Sequence, residues 1–404
     1  MKERRCEHCG VVFKRKSDRR KVFRYCSHAC HHAARSQRPT QHDERLAENQ
    51  EIQGTVRRLT AQNKRLLSHV RAAERIVQLA ADTFAALPPA KAPKVLRENE
   101  TRSRETALLL LTDHHIGARF TLEEMGGLNA YDIEEYSRRL KYVVRKTIRL
   151  TRGRPDLVVP EIVVFLGGDM IDGLIHDSIE RNADAAPADQ VVIGSWLLAQ
   201  AIGELAANFE RVRVVCAPGN HGRIRKPHEM EAVTQNFDTL LYVLCRQHLR
   251  RQQNVSWQIP REWWAYAELE GHGVLCLHGH VGVKGVSGNA TFPGYGLRRA
   301  ADNLQHIQRR LNQPARYIVM GHFHSYFCTS HEEGLLVING SIMGSNPYAL
   351  AGGFPYRPAV QVLMLFHRSH GMTAQHLLTP EEHGLTEGYV WRRHTFEQEE
   401  QPPC

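Results

Sequence analysis

Nowhere in the 404-residue sequence is there a run of about 18 apolar residues, so no membrane-spanning helix is expected. The opening residues, MKERRCEHCG, are basic but lead into no apolar stretch, and no secretory signal is expected from them. The phosphate-cradling pattern G-x-x-x-x-G-K-[ST] is missing, which argues against ATP as a fuel. No self-similar period of about 20–50 residues is visible, which excludes a solenoid. The nine cysteines make no disulfide framework: four lie in the first 30 residues and five stand singly. Such usage suits a reducing compartment, so the cytoplasm is the expected location.

What is present begins with charge. The formal net charge is +10, and it is unevenly placed. Residues 1–100 hold 22 Lys/Arg against 11 Asp/Glu, whereas the remaining 304 hold 31 against 32. Residues 1–38 alone hold 12 basic and 3 acidic residues. A basic module joined to a nearly neutral body points to nucleic acid or another polyanion as partner; a solvated tail is the alternative.

That module, residues 1–38, has a metal-ligand spacing. Cys6 and Cys9 form a C-x2-C knuckle, and Cys26 and Cys30 a C-x3-C pair. Four soft ligands from two short turns suit one structural zinc, and a segment this short needs such a staple to fold. Four free cysteines are the alternative, and His8, His28, His31 and His32 are substitutes for one ligand. The ending YCSHAC resembles the small treble-clef-like fingers of phage and bacterial DNA-processing proteins. Lys14, Arg15, Lys16, Arg19, Arg20, Lys21 and Arg24 lie between the pairs and suit phosphate contacts.

Residues 41–87 repeat apolar side chains in steps of four and three. Val56, Asn63, Val70, Val77 and Phe84 take heptad position a; Ile52, Leu59, Leu66, Ala73, Ala80 and Leu87 take d. β-Branched residues at a, leucines at d and one Asn at a favour a parallel coiled-coil homodimer. A helix packed on its own catalytic domain is the alternative. Pro88 and Pro89 end the pattern and open a linker, residues 88–104.

Residues 105–390 alternate apolar β-rich runs with amphipathic stretches at about 132–150, 190–209, 229–247 and 297–311, the pattern of an α/β domain. The long Gly-rich stretch 283–299 is expected to be a substrate-facing loop, and residues 391–404 a tail. Five apolar runs end in polar residues: Asp113-His114-His115, Asp169 with Asp172, Asn220-His221, His278 with His280, and His322 with His324. In α/β sheets such strand-end loops converge on one crevice. Carboxylate, amide and imidazole together suit divalent manganese, iron or zinc.

In this order the motifs D-x-H, G-D-x-x-D, G-N-H, H-G and G-H-x-H, over about residues 106–345, resemble the calcineurin-like metallophosphoesterase superfamily, and GNHGR together with NGSIMGSNPYAL, residues 339–350, resembles its phage and prophage type. The resemblance implies a two-sheet sandwich flanked by helices. It implies phosphoester hydrolysis by attack on phosphorus of a hydroxide activated by two divalent metals, manganese foremost, with iron, zinc or nickel as alternatives. Asp113, His115 and His324 match ligands of one metal; Asn220, His278 and His322 match ligands of the other; Asp169 matches the bridging carboxylate. His280 is the alternative to His278. On an extended backbone His322 and His324 would share one side and reach the two metals. His221 matches a non-ligand histidine that protonates the leaving oxygen, with Asp172 expected to hydrogen-bond it. Arg223, Arg225 and His280 are candidates for substrate phosphate, a solvated loop being the alternative for the arginines. Gly173 and Gly222 depart from the phosphoprotein phosphatase pattern. A nuclease or phosphodiesterase acting on nucleic acid is the leading expectation; a hydrolase of small phosphoesters and a nucleic-acid-binding adaptor with a vestigial metal domain are the alternatives.

Overall fold

A computed structural model describes residues 2–15, 24–36, 41–86, 102–173, 183–224, 233–281, 294–331, 334–380 and 387–391. The chain divides into two units, Met1–Arg97 and Glu98–Cys404. No helix among the described residues is long and apolar enough to cross a membrane.

In the first unit, β1 (Lys2–Arg5) and β2 (Val12–Arg15) form an antiparallel hairpin, with α1 (His28–Ser36) after it. α2 (Gln41–Ala86) is a single helix of 46 residues. Its apolar stripe is left in water: Leu59 is 53% exposed, Val70 51% and Val77 69%. The side chains of Ala80, Phe84 and Leu87 lie outside the described residues, as do residues 16–23 between the cysteine pairs.

The second unit runs β3 (Ser103–Leu111), α3 (Ile133–Arg152), β4 (Leu157–Leu166), α4 (Pro187–Ala206), β5 (Arg211–Cys216), a 3-10 turn (Val233–Gln235), α5 (Phe237–His248), β6 (Val255–Gln258), β7 (Trp264–Leu269), β8 (His272–Leu277), α6 (Gly294–Arg310), β9 (Tyr317–Met320), β10 (Phe327–Ser330), β11 (Leu335–Ile338), α7 (Pro347–Ala351), β12 (Gln361–His367) and β13 (Gly371–Leu378). One sheet has the order β13-β12-β3-β4-β5-β6, the other β10-β11-β9-β8-β7. β3 through β6 are parallel, as are β8, β9 and β11.

Period-2 alternation builds the layers. Leu108 and Leu110 of β3, with Val163 and Phe165 of β4, meet Val274, Cys276 and Val319 from the other sheet. Their neighbours Leu109, Leu111, Val164 and Leu166 face α3, α4 and α5. On the far side Leu275, Leu277, Ile318 and Met320 pack on Leu297, Ala301 and Leu304 of α6. Strands buried on both faces read as unbroken apolar runs, which made them visible in sequence. β6, β7, β10 and β13 were not among the expected strands, because they are short, partly exposed or polar.

Three boundaries move. The helix expected at 229–247 is α5, which starts at Phe237 because the Asn236 side chain caps it by accepting from Asp238 N. The expected loop 283–299 is helical from Gly294, and residues 282–293 lie outside the described residues. β3 takes Ser103 and Arg104 from the expected linker; residues 87–101, and 392–404 of the expected tail, lie outside the described residues.

Candidate metal centre

The strand-end loops are laced together through their backbones. Asp113 N donates to Gly168 O (3.1 Å) and His115 N to Asp169 O (3.0 Å), joining the loops after β3 and β4. Gly321 N donates to His278 O (2.9 Å), joining those after β8 and β9. His322 N donates to Asp113 Oδ1 (2.9 Å), joining the two sheets. The loops bend sharply to do this. Asp113 (φ 56°), His115 (47°), Asp169 (50°), His322 (71°) and His324 (51°) all adopt left-handed backbone. For residues with a Cβ this costs about 1–3 kcal/mol each and clusters at functional sites.

The side chains form two adjoining clusters, Asp113–His115–His324 and Asp169–His278–His322, each with its ligand atoms within 4.8 Å of one another. His115 Nε2 lies 3.0 Å from His324 Nε2, and His324 Nε2 3.4 Å from Asp113 Oδ1. His278 Nε2 lies 3.1 Å from Asp169 Oδ2 and 3.2 Å from Asn220 Oδ1. Ligands at about 2.1 Å from a cation sit about 3.0–3.4 Å apart, so both clusters fit divalent metals. Tautomers fit too. His115 Nδ1 donates to Asp172 Oδ1 (3.1 Å) and His278 Nδ1 to Gly167 O (2.8 Å), which turns both Nε2 lone pairs inward.

Two expectations are corrected here. His322 and His324 reach different clusters, but from left-handed backbone rather than from an extended strand. The Asp172 carboxylate hydrogen-bonds His115 and only approaches His221: its Oδ1 is 3.1 Å from His115 Nδ1 and 3.7 Å from His221 Nδ1, and the three side chains form a further group of metal-ligand spacing. His221 Nδ1 donates instead to the Asp172 backbone carbonyl (2.8 Å), and His221 N donates to Asp169 Oδ1 (2.8 Å).

Asp113 and Asp169 are 0% and 1% exposed. Buried carboxylates need compensating charge. Burial alone would push the Asp169 carboxyl up, but His278, His221 and His115 together hold it well below the usual range. Burial likewise pulls His278 down, and the Asp169 carboxylate outweighs it, so that imidazole is pushed up to about 9. His322 is pulled down to about 3 by burial and by His278.

Behind the ligands stand residues whose supporting roles no contiguous motif records. Asp238, fully buried at the start of α5, accepts backbone N–H from Asp169 (2.9 Å), Met170 (3.1 Å) and Gly219 (2.9 Å). Asn236 Nδ2 donates to Gly219 O, and Tyr242 Oη accepts from Gly168 N. One helix start thus sets two ligand loops. Thr112 Oγ1 donates to Asp113 Oδ2 (2.5 Å), Asn339 Nδ2 donates to Thr112 Oγ1, and Ser341 Oγ to Asp113 O. The only sequence signal was polar residues in otherwise apolar or capping positions. Gly321 is required by space: a Cβ there would stand 2.1 Å from Asp113 Oδ2.

The remaining candidates are placed as follows. His280 lies outside both clusters, its ring 5.3 Å from that of His278; burial first and His278 second pull it down to about 2. Arg223 bridges to Asn236 through its backbone. Arg225 lies outside the described residues. In the first unit Cys6, Cys9, Cys26 and Cys30 bring four Sγ atoms within 4.8 Å, with Cys9–Cys26 at 3.5 Å and Cys26–Cys30 at 3.4 Å. A tetrahedral zinc with ligands at about 2.3 Å asks for sulfurs about 3.8 Å apart, so the set fits.

No family model and no curated protein matches the chain. Solved structures do. A predicted phosphoesterase from Streptococcus pneumoniae TIGR4 shares 11% identity over 68% of this chain and 98% of its own, with a TM-score of 0.28. Vps29 from Entamoeba histolytica, complexed with zinc, shares 12% identity over 68% and 99%, with a TM-score of 0.29. Phosphopantetheinyl hydrolase from Mycobacterium tuberculosis shares 12% identity over 59% and 90%, with a TM-score of 0.28. Scores this low carry no chemistry, which rests on the residues themselves.

Proposed function

We propose that the chain is a metal-dependent phosphoester hydrolase acting on nucleic acid. One observation supports the hydrolase above all: two carboxylate–imidazole clusters of metal-ligand spacing adjoin, with His221 beside them. Asp113, His115 and His324 would hold one cation, and Asn220, His278 and His322 a second, with Asp169 shared between them. Divalent metals bound there supply Lewis acidity, acidifying water and neutralising charge on the phosphoryl oxygens. The chain's own groups do the rest. Asp172 orients His115, and Gly167 O orients His278. His221, held through Nδ1 by the Asp172 carbonyl, would in its doubly protonated form give the Nε2 proton to the departing ester oxygen. The basic first unit and its four-cysteine site support nucleic acid as the substrate class and zinc as the finger's metal.

The test is hydrolysis of bis-p-nitrophenyl phosphate, single-stranded DNA and duplex DNA with added manganese. Asp169→Asn should abolish all turnover and lower bound metal. His221→Ala should keep its metal yet lose about 10²–10⁴ in rate. Cleavage of the model diester without cleavage of either DNA would shift the reading to small phosphoesters. No turnover with any divalent metal would leave a binding adaptor.

A further inference from the structure

α2 carries a second pattern, independent of its apolar stripe. Arg57, Arg58, Lys64, Arg65, Arg71 and Arg75 all lie on it, and no Asp or Glu occurs between Glu51 and Glu74. All six cations are exposed. At 100° per residue they fall within an arc of about 140° centred opposite Val56, Leu59, Asn63 and Val70. They extend along about 27 Å of helix, with the pairs Arg57–Arg58 and Lys64–Arg65 about 10.5 Å apart. Among the described residues none of the six makes an ion pair; the salt bridges of the first unit are Lys14–Glu3 and Arg24–Glu7. A solvated helix face ordinarily mixes signs and gains from acid–base pairs at i,i+4, whereas Arg71 and Arg75 repel at that spacing. Small residues, Ala61, Ser68 and Ala72, fill the rest of the arc.

We propose that this outer face of α2 binds the sugar-phosphate backbone of a nucleic acid. Single-sign charge repeated along a straight rod complements an extended polyanion, and guanidinium groups pair with phosphate oxygens. Between Arg57 and Arg75 the arc holds no large apolar side chain to insert beside the cations, as an anionic bilayer would require. The inference rests on the nucleic-acid part of the proposed function but not on hydrolysis.

The experiment uses the full chain with Asp169→Asn to prevent cleavage, and labelled duplex and single-stranded DNA titrated across KCl concentrations. Replacing Arg57, Arg58, Lys64 and Arg65 by Gln should weaken binding at least tenfold. It should also flatten the slope of log K against log[KCl] by about 3–4, since each lost phosphate contact removes about 0.9. A partner variant with Arg57, Arg58 and Arg65 changed to Lys keeps the charge and should bind like the parent. Equal affinity and slope in the Gln variant overturn the proposal, as does equal loss in the Lys variant. Capture by phosphatidylserine vesicles without DNA binding overturns it too. Hydrolysis of bis-p-nitrophenyl phosphate by the Gln variant, in a chain otherwise unaltered, should match the parent. If the parent binds no DNA yet hydrolyses that diester, the stripe and the nucleic-acid reading fall together and the hydrolase stands. If the parent binds and the Gln variant binds equally, the stripe alone falls.

Discussion

Asp238 touches neither cluster's ligand atoms, yet three backbone N–H groups of the ligand loops end on its carboxylate. Hydrogen bonds to a buried charged acceptor are worth about 1.5–3 kcal/mol each, and their loss strands donors that water cannot reach. In Asp238→Asn one oxygen is replaced by an NH2 group that faces N–H donors. That variant should unfold about 2 kcal/mol more easily and bind manganese more weakly; calorimetry and metal analysis check both. Unchanged metal content would mean that the Gly168 and Gly219 loops hold their shape without it. Gly321→Ala offers the opposite case, a loop crowded rather than loosened, since the new methyl would displace Asp113.

At the scale of elements, α2 exposes Ile52 (54%), Val56 (55%), Leu59 (53%) and Leu66 (54%) on one stripe. The cations occupy the opposite side, and most flanking positions are uncharged. That distribution favours pairing with the same helix of a second chain, parallel and in register. Sedimentation should give a dimer for the parent and a monomer for Leu66→Lys, while Asn63→Val should remain associated; a monomeric parent refutes the pairing. The elements differ in how openly the sequence declared them. β3, β4, β8 and β9 are largely buried on both faces, and β5 is so at its C-terminal end, so each has an apolar run that ends where its ligand loop begins. β7 alternates buried with partly exposed residues, whereas β13 is buried only at its ends, Gly371 and Leu378, and carries Thr373, Gln375 and His376, so neither broke clearly from loop composition. The ligand pattern was legible because each motif is contiguous. The service of Asp172 to His115, and of Asp238 to three N–H groups, depends on loops meeting across 57 and up to 69 residues of chain. No local pattern records such meetings.

At the scale of the whole molecule, every candidate active-site ligand belongs to the second unit and every finger cysteine to the first. Their stabilities should separate. A fragment covering 98–404 should hydrolyse bis-p-nitrophenyl phosphate at the parent's rate with manganese supplied. Chelation of the full chain should unfold the finger, which has little core of its own, while the sandwich keeps its circular dichroism. Loss of diester hydrolysis in the fragment would mean that the first unit contributes to catalysis directly.

The left-handed backbone at His324 implies a trade between robustness and use. Glycine ordinarily weakens a fold relative to alanine, because its unfolded chain is freer. Where φ is +51° the order reverses, since only glycine adopts that angle without steric penalty. His324→Gly and His324→Ala should be equally inactive, yet the glycine variant should melt about 2 °C higher, for about 1 kcal/mol of relieved strain. At this centre, therefore, a gain in heat tolerance is reached by giving up a ligand.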